Sequence, residues 1–282
     1  MIEWEASRIR EILEQCGERA MDSFRKVKWR IKEDDSLVTE VDMEIERILE
    51  KEFNHPDKGS YIIGEETVSK KSESYVSNAF QNTAWVVDPI DGTAPFAHGI
   101  DTWGISIGFM RNGILEEGAL ALPARGEIFL TDKSETYSSR LTRGKAKAEL
   151  SKFAASKAVL SPGGLVSISQ NIARTGTLSM KNPLHAICCS VFSSVGLLEG
   201  GYMAYLGCTK LWDIAGALPL LWNCGYATEL FSGQKIIPRI SEETCELSPD
   251  SRKRWFMKDL VLIAPDQDIV RYVRESVLDK GS

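Results

Sequence analysis

The stretch Ala84-Trp85-Val86-Val87-Asp88-Pro89-Ile90-Asp91-Gly92-Thr93 joins an apolar run to two carboxylates that lie three residues apart. The apolar run predicts a buried strand, Pro89 stiffens the chain between the acids, and Gly92 lets the backbone approach a ligand closely. Buried carboxylates are costly unless a cation neutralises them. The stretch therefore predicts a divalent cation at a strand end, with the amides of Gly92 and Thr93 and the Thr93 hydroxyl holding a phosphate beside it.

The same string also fits a simpler structure, because Asp-Pro-x-Asp-Gly is a common surface turn whose acids face water. By itself the motif is only a hypothesis. Further acids favour the metal site over the surface turn, because each of them stands at the edge of an apolar element. They are Asp42 after Leu37-Val38-Thr39, Glu65 after Tyr61-Ile62-Ile63-Gly64, and Asp213 before the apolar stretch from Ile214 to Trp222. We expect these acids to meet in one site.

These segments resemble, in order and spacing, the inositol monophosphatase family of magnesium-dependent, lithium-sensitive phosphatases. The matching segments are Leu37-Val38-Thr39 with Asp42, Gly64-Glu65-Glu66, Asp88 to Thr93, and Trp212-Asp213 with Gly216. The resemblance covers almost the whole chain, and the combination is more specific than any single segment. It implies a layered α/β/α/β/α sandwich, in which an α+β lobe and an α/β lobe enclose the site.

The resemblance also implies a set of metal ligands. Glu65 and Asp88, with the carbonyl of Ile90, would hold a first Mg²⁺ ion, and Asp88, Asp91 and Asp213 would hold a second. The expected cofactor is thus Mg²⁺, at two or three ions per site. Hard oxygen ligands suit this ion, and two such ions roughly 3.5 to 4 Å apart clamp an in-line displacement at phosphorus.

The expected reaction is hydrolysis of a phosphate monoester by water. Glu65 and Thr93 are the groups expected to orient and deprotonate that water, while Asp42 is expected to hydrogen-bond Thr93. Asp91, Gly92 and Thr93 are expected to contact the phosphate. A catalytically silent relative that acts as a metal-binding or phosphate-binding regulatory subunit is the alternative, although the acid set of this chain is complete.

The rest of the chain predicts two lobes. Between Thr102 and Thr131, β-branched and aromatic residues separated by turns predict antiparallel strands that continue the sheet. The polar, basic stretch from Lys133 to Lys152 is expected to cross the surface. Beyond it, one helix is predicted from Trp212 to Asn223, and Asp266 is expected to cap a closing helix. We accordingly predict an N-terminal lobe over residues 1–145 with most of the ligands, and a C-terminal lobe over residues 146–282 that supplies Asp213.

Two local patterns carry further expectations. Ser161-Pro162-Gly163-Gly164 is expected to lead into a helix, so that Ser161 and Gly163 form an anion nest at its N-terminus, with an ordinary helix entry as the alternative. A helix predicted from Met43 to Phe53 places Glu46 among the charges of a solvated face.

Three departures from the family pattern bear on the substrate. Ala94-Pro95 stands where members usually carry an Asn before Phe96, no acid occurs between Tyr202 and Leu206, and Lys210 precedes Asp213 by three residues. Lys210 can partner a carboxylate or meet an extra anionic group of the substrate. The candidates are inositol phosphate, histidinol phosphate, a sugar phosphate or bisphosphate, and a nucleotide 3'-phosphate.

Composition excludes several classes of protein. With 282 residues, 43% of them hydrophobic, the chain can bury a sizeable core. A formal charge of -6 argues against binding to nucleic acid, which needs a basic face. There is no apolar run long enough for a membrane span or a secretory signal, and the six cysteines show no zinc-like spacing. We expect a cytoplasmic protein with reduced cysteines, and the family resemblance implies a homodimer.

Overall fold

The computed structural model describes residues 2–32, 37–142, 149–175 and 178–277, which form helices around two main sheets. The helices are α1 (Ala6–Ser23), α2 (Glu40–Phe53), α3 (Glu73–Gln81), α4 (Thr93–Ala97), α5 (Gln170–Thr175), α6 (Ser190–Leu198), α7 (Leu211–Ala215), α8 (Leu218–Asn223) and α9 (Gln267–Glu275). The strands are β1 (Trp29–Ile31), β2 (Leu37–Thr39), β3 (Ser60–Gly64), β4 (Thr83–Asp91), β5 (Gly104–Arg111), β6 (Ile114–Leu122), β7 (Glu127–Asp132), β8 (Glu135–Arg140), β9 (Ser151–Lys152), β10 (Val166–Ile168), β11 (Leu184–Ala186), β12 (Ala204–Gly207), β13 (Ala227–Leu230) and β14 (Val261–Ala264).

The larger sheet has seven strands in the order β3-β4-β5-β6-β7-β8-β9. Strands β3 and β4 are parallel, and every later neighbour is antiparallel. All nine residues of β4 are buried because helices cover both faces of the sheet. Trp85 and Val87 pack towards α1 and α2, whereas Ala84 and Val86 pack towards α6, α7 and α8.

The smaller sheet has five strands in the order β11-β10-β12-β14-β13. One face packs on the core that contains α6 to α8, and the other face packs on α9 through residues such as Ile269 and Val273. The layers therefore run helix, sheet, helix, sheet, helix. The predicted α/β/α/β/α sandwich is confirmed, as is the helix that Asp266 caps at its N-terminus.

The polar stretch from Lys133 to Lys152 does not leave the first sheet directly, so its predicted surface crossing is wrong. Strand β8 pairs with β7, and β9, which lies beyond residue 145, pairs with β8. Because β8 is an outer strand, its polar residues face solvent on one side and the alternation of a buried strand is weak. The division into two lobes remains a prediction.

Two predicted helices also differ from the structure. Strand β10 follows Gly164 where a helix was expected, because this segment pairs with both β11 and β12 inside the sheet and all three of its residues are buried. The single helix expected from Trp212 to Asn223 is two helices, α7 and α8, separated at Gly216 and Ala217. Pro219 lies in the first turn of α8, where proline is well tolerated.

Candidate active site

Two parallel strands deliver the first two acids to the same sheet edge. Gly64 at the end of β3 is in register with Val87 of β4, and the Glu65 amide donates to the Val87 carbonyl at 3.3 Å. Parallel neighbours end on the same side, so Glu65 and Asp88 emerge together. Each acid directly follows an apolar strand, so pairing of the two strands is sufficient to bring Glu65 and Asp88 together.

The turn after β4 is shaped around Asp88 and Gly92. The Ile90 amide donates to Oδ1 of Asp88 at 3.1 Å, and the register with β5 shifts between Asp88 and Asp91. Gly92 has a φ of +86°, and a Cβ there would lie 3.0 Å from Cys189 Cβ and 3.0 Å from the Thr102 carbonyl. Only glycine fits this position without strain.

Asp42 is buried at the start of α2 and is linked to the turn through Thr93. Its Oδ2 accepts from the Thr39 amide at 2.9 Å while the Asp42 amide donates to the Thr39 hydroxyl oxygen at 3.4 Å, which is a capping box, and the Thr39 hydroxyl donates to the same Oδ2. Its Oδ1 lies 3.1 Å from the Thr93 hydroxyl, which also lies 3.0 Å from the carbonyl of Ile90. The hydrogen bond expected between Asp42 and Thr93 is present.

Asp91 is anchored to the N-terminal end of α6. The Val191 amide donates to Oδ2 of Asp91 at 2.5 Å, and the Cys189 thiol donates to the same oxygen at 3.3 Å. The positive end of the helix dipole favours the carboxylate there. Cys189 is a site residue that the sequence did not indicate, because a cysteine in an apolar segment looks like an ordinary core residue.

Asp213 reaches the site because α7 lies directly on the first sheet. The Ser106 hydroxyl of β5 donates to the Trp212 carbonyl at 3.0 Å and accepts from the Gly216 amide at 3.2 Å. A Cβ on Gly216 would lie 2.6 Å from the Ala119 carbonyl, so the helix backbone approaches the sheet closely. The Lys210 amide donates to Oδ2 of Asp213 at 2.8 Å and orients the carboxylate.

Four of the predicted acids line one cavity of about 510 Å³, and Asp42 lies behind Thr93. Its walls include Glu65, Asp88, Ile90, Asp91, Gly92, Thr93 and Asp213. Arg174 and Gln170 of α5 and Cys188 close the opposite side, and none of these three was singled out from the sequence. They lie in segments without a motif, so no local signal pointed to them.

Burial controls the charge of these acids. It raises the pKa of Asp91 to about 7 and that of Asp42 to about 6, although hydrogen bonds to each carboxylate oppose the shift. Burial and the negative charges around them raise the pKa of Asp88 and of Asp213 well above the usual value for a carboxyl group. The cluster therefore holds protons at neutral pH unless cations replace them.

One cation of the chain already contacts the cluster. The Lys32 ammonium lies 3.2 Å from Glu65 Oε1 and 2.6 Å from Glu66 Oε1. Among the described residues, no three acidic, histidine or cysteine side chains converge closely enough, as they stand, to hold a metal ion. A metal ion shared by these carboxylates would therefore require their side chains to reorient.

Glu46 is not solvated, so its predicted place on an exposed helix face is wrong. The residue is fully buried, accepts from the Glu66 amide at 2.9 Å and from the Thr67 hydroxyl at 2.6 Å. Burial raises its pKa to about 7. The helical period groups Glu46 with charged residues of α2 that face solvent. However, β3 and the turn after it cover Glu46, so this position is not exposed. Glu46 thus positions the backbone next to Glu65.

The other residues predicted to contact the phosphate, Ser161, Gly163 and Lys210, do not line the cavity of the acid cluster. Ser161 lies on a separate, mainly apolar cavity of about 470 Å³ with Pro162 and Tyr272, and nothing lies within 4 Å of a Cβ built on Gly163. The structure does not bring Ser161 or Gly163 to the acid cluster, because the helix expected after them is a strand. Lys210 lies beside the cluster, on a neighbouring cavity that shares Glu65.

Comparison with known proteins agrees with this geometry. The sequence model of the inositol monophosphatase family matches residues 5–277. The chain belongs to that family. This match spans both sheets and every acid of the cluster, so the predicted family is confirmed.

Individual members of the family share only a small part of their sequence with this chain. The histidinol-phosphatase of Chlorobaculum parvum is 30% identical over 127 residues, which is 44% of this chain and 46% of that protein. The aligned part thus spans less than half the length of that relative. The extragenic suppressor protein suhB of Bartonella henselae has the same fold, with a TM-score of 0.71 at 16% identity over 98% of both chains. A structure described as an IMPase/NADP phosphatase complexed with Mg²⁺ and phosphate superposes with a TM-score of 0.63 at 16% identity, covering 94% of this chain and 93% of that one.

Proposed function

We propose that the protein hydrolyses a small-molecule phosphate monoester with divalent metal ions, for which Mg²⁺ fits best. The observation that carries this proposal is a set of carboxylates at one cavity wall: the buried Asp88 and Asp91, the half-buried Asp213, and Glu65. Such a set is costly to charge without cations. Oxygen donors of this kind suit Mg²⁺, and the related phosphatase with bound Mg²⁺ and phosphate has the same fold.

The ligand assignment is the one that the family resemblance implies. Glu65, Asp88 and the Ile90 carbonyl would hold one ion, and Asp88, Asp91 and Asp213 would hold another, so that the site takes two or three ions. Bound ions of this kind lower the pKa of a water ligand and stabilise a leaving oxygen. Lys32 must release Glu65 for this to occur, and Glu66 remains as its partner.

The residues of the chain position the attacking water. Thr93 has one hydroxyl proton and two acceptors, Asp42 and the Ile90 carbonyl, so it donates to one of them and keeps lone pairs for a water molecule. Glu65 lines the same cavity and is the base that takes the water proton. Asp91, Gly92 and Thr93 contact the phosphate at the turn.

Phosphate release from a panel of monoesters tests the proposal. The panel contains inositol 1-phosphate, histidinol phosphate, a sugar phosphate and a nucleotide 3'-phosphate, each with and without Mg²⁺. With Mg²⁺ we expect phosphate release from at least one of these esters, and we expect EDTA to abolish that release. Metal binding without release from any ester would instead favour a silent, regulatory member of the family.

We also propose a homodimer in a reducing compartment such as the cytoplasm. Strand β11 is an edge strand with all three residues exposed, and the apolar Val159 and Leu184 are 75% and 43% exposed. Exposed apolar residues beside an edge strand are typical of an interface. All six cysteines are free, as is usual in a reducing compartment. In the described residues no helix is long and apolar enough to cross a membrane.

Sedimentation equilibrium of the wild type and of Leu184→Arg tests the dimer. We expect the variant to lose the dimer, and a monomeric wild type would refute the proposal.

A further inference from the structure

Helix α2 carries two fully buried carboxylates, Asp42 and Glu46, which are four residues apart. Residues at this spacing lie on the same face of a helix, about one turn from each other. Asp42 contacts Thr93 in the turn after β4. Glu46 contacts the turn after β3, which begins at Glu65. One face of α2 therefore touches both turns that supply the groups expected to act on the attacking water.

Both oxygens of the Glu46 carboxylate are held by the turn after β3. Oε2 accepts from the Glu66 amide at 2.9 Å, and Oε1 accepts from the Thr67 hydroxyl at 2.6 Å. The first of these bonds fixes the peptide group that follows Glu65. The peptide group before it is fixed by the Glu65 amide, which donates to the Val87 carbonyl at 3.3 Å. The backbone of Glu65 is thus held on both sides.

Gly64 makes this arrangement possible because it leaves room for the carboxylate. A Cβ built on Gly64 would lie 2.5 Å from Cδ and 2.9 Å from Oε2 of Glu46. A larger side chain at this position would therefore push the carboxylate away. An unbound glutamate could swing aside, whereas Glu46 would lose both of its hydrogen bonds by doing so. The carboxylate of Glu46 packs directly against the end of β3.

Glu65 is the active-site residue that depends on this turn. Its side chain lines the cavity of the acid cluster and contacts the Lys32 ammonium at 3.2 Å, a contact that it gives up when an ion binds. After that release, the backbone of Glu65 is what keeps the side chain directed into the cavity. Contacts that orient a metal ligand from outside strengthen the binding of the ion.

We propose that Glu46 is a positioning residue of the active site, which holds Glu65 in place as a ligand of the first metal ion. This inference rests on the proposed phosphatase function, which makes Glu65 a ligand and the base. Asp42 orients Thr93 in the same way, so α2 sets the separation of the two groups that act on the water. Glu46 does not line the cavity of the cluster, so it acts through the backbone of the turn.

Calorimetric titration with Mg²⁺ tests this role without relying on turnover. Glu46→Ala removes both hydrogen bonds and should weaken Mg²⁺ binding about tenfold or more, as the loss of an outer contact does at other metal sites. Glu46→Gln should recover most of the affinity, because its side chain can accept from the Glu66 amide and donate to the Thr67 hydroxyl. Unchanged affinity in Glu46→Ala would overturn the proposal.

Glu50→Ala is the matched control, because Glu50 lies one turn further along α2. It contacts the side chains of Thr67 at 3.3 Å and Lys71 at 2.8 Å, whereas Glu46 also holds a backbone amide. Each variant removes one carboxylate from the same helix, so a general effect of charge would appear in both. We expect Glu50→Ala to bind Mg²⁺ as the wild type does. An equal loss of affinity in the two variants would overturn the positioning role.

Two milder variants keep the test decisive if circular dichroism shows that Glu46→Ala does not fold. Thr67→Val removes one of the two hydrogen bonds and keeps the shape of the side chain. Gly64→Ala displaces the carboxylate instead of deleting it. Both should weaken Mg²⁺ binding, and wild-type affinity in both would overturn the proposal.

Turnover separates this inference from the proposed function. Mg²⁺ binding that Glu46→Ala weakens, without phosphate release from any ester, would support the positioning role and refute the hydrolase. Phosphate release that requires the same Mg²⁺ concentration in Glu46→Ala as in the wild type would support the hydrolase and refute the positioning role. A wild type that binds no Mg²⁺ would refute both.

Discussion

The Thr93 hydroxyl lies 3.1 Å from Oδ1 of Asp42, and this contact joins the start of α2 to the turn after β4. Oδ2 of the same carboxylate is held by Thr39, so Asp42 is fixed at both oxygens. A hydroxyl placed by a fixed carboxylate has a defined orientation. This relationship makes Thr93 the residue whose removal is most informative about the attacking water.

Thr93→Val should reduce kcat about a hundredfold or more while the fold is retained, because valine keeps the shape and removes the hydroxyl. Phosphate release at saturating Mg²⁺ measures the effect, and circular dichroism checks the fold. Thr93→Ser restores a hydroxyl and should recover much of the rate. A fully active Thr93→Val would remove this residue from the mechanism.

Asp213→Asn should abolish Mg²⁺-dependent phosphate release, by about a thousandfold or more, because it removes the one ligand contributed by α7. The asparagine can still accept the Lys210 amide, so α7 should stay in place. Titration with Mg²⁺ should also show weaker binding. Asp250→Asn is the control, since Asp250 is exposed. Equal activity of the two variants would contradict the ligand assignment.

Gly92→Ala should destabilise the protein more than Gly126→Ala. Both glycines have a positive φ, of +86° and +70°, so both substitutions cost about 1 kcal/mol of backbone strain. Only at Gly92 would the new Cβ meet other atoms, at 3.0 Å from Cys189 and Thr102. Overpacking adds about 1 kcal/mol or more. Urea denaturation measures the difference, and equal free energies of unfolding would argue against the close contact.

The stability of EDTA-treated protein should fall as pH rises from about 5 to 8. The folded pKa values of Asp42 and Asp91, about 6 and about 7, lie above the ordinary value of 3.8. Between those values the folded state binds more protons than the unfolded state, so the free energy of unfolding decreases with increasing pH. Thermal unfolding should show a decrease in Tm of about 2 °C or more.

Mg²⁺ should reverse that decrease, because cations replace the protons on the cluster and bind only the folded state. The increase in Tm on adding Mg²⁺ should be larger at pH 8 than at pH 5. Asp213→Asn, which removes one carboxyl group with a raised pKa, should reduce the pH dependence. A Tm that is independent of both pH and Mg²⁺ would show that burial does not raise the pKa values of these acids as described.

The local elements of the site can be recognised from the amino-acid sequence. An apolar run followed by Asp88 specifies a strand that ends in an acid, Gly92 specifies a turn with positive φ, and Thr39 with Asp42 specifies a helix start. These features depend on neighbours in the chain, so their pattern is visible without a fold. The family resemblance supplied the ligand set and the layered architecture.

Only the tertiary structure decided which residues meet across the chain. Glu46 has the spacing of an exposed helix face, yet β3 and its turn bury it. Asp213 joins the cluster because Gly216 lets α7 lie on the first sheet. Lys210, Arg252 and Lys253 line one cavity beside the cluster, although about forty residues separate Lys210 from the other two in sequence. Long-range packing creates such contacts, and no local pattern of residues encodes them.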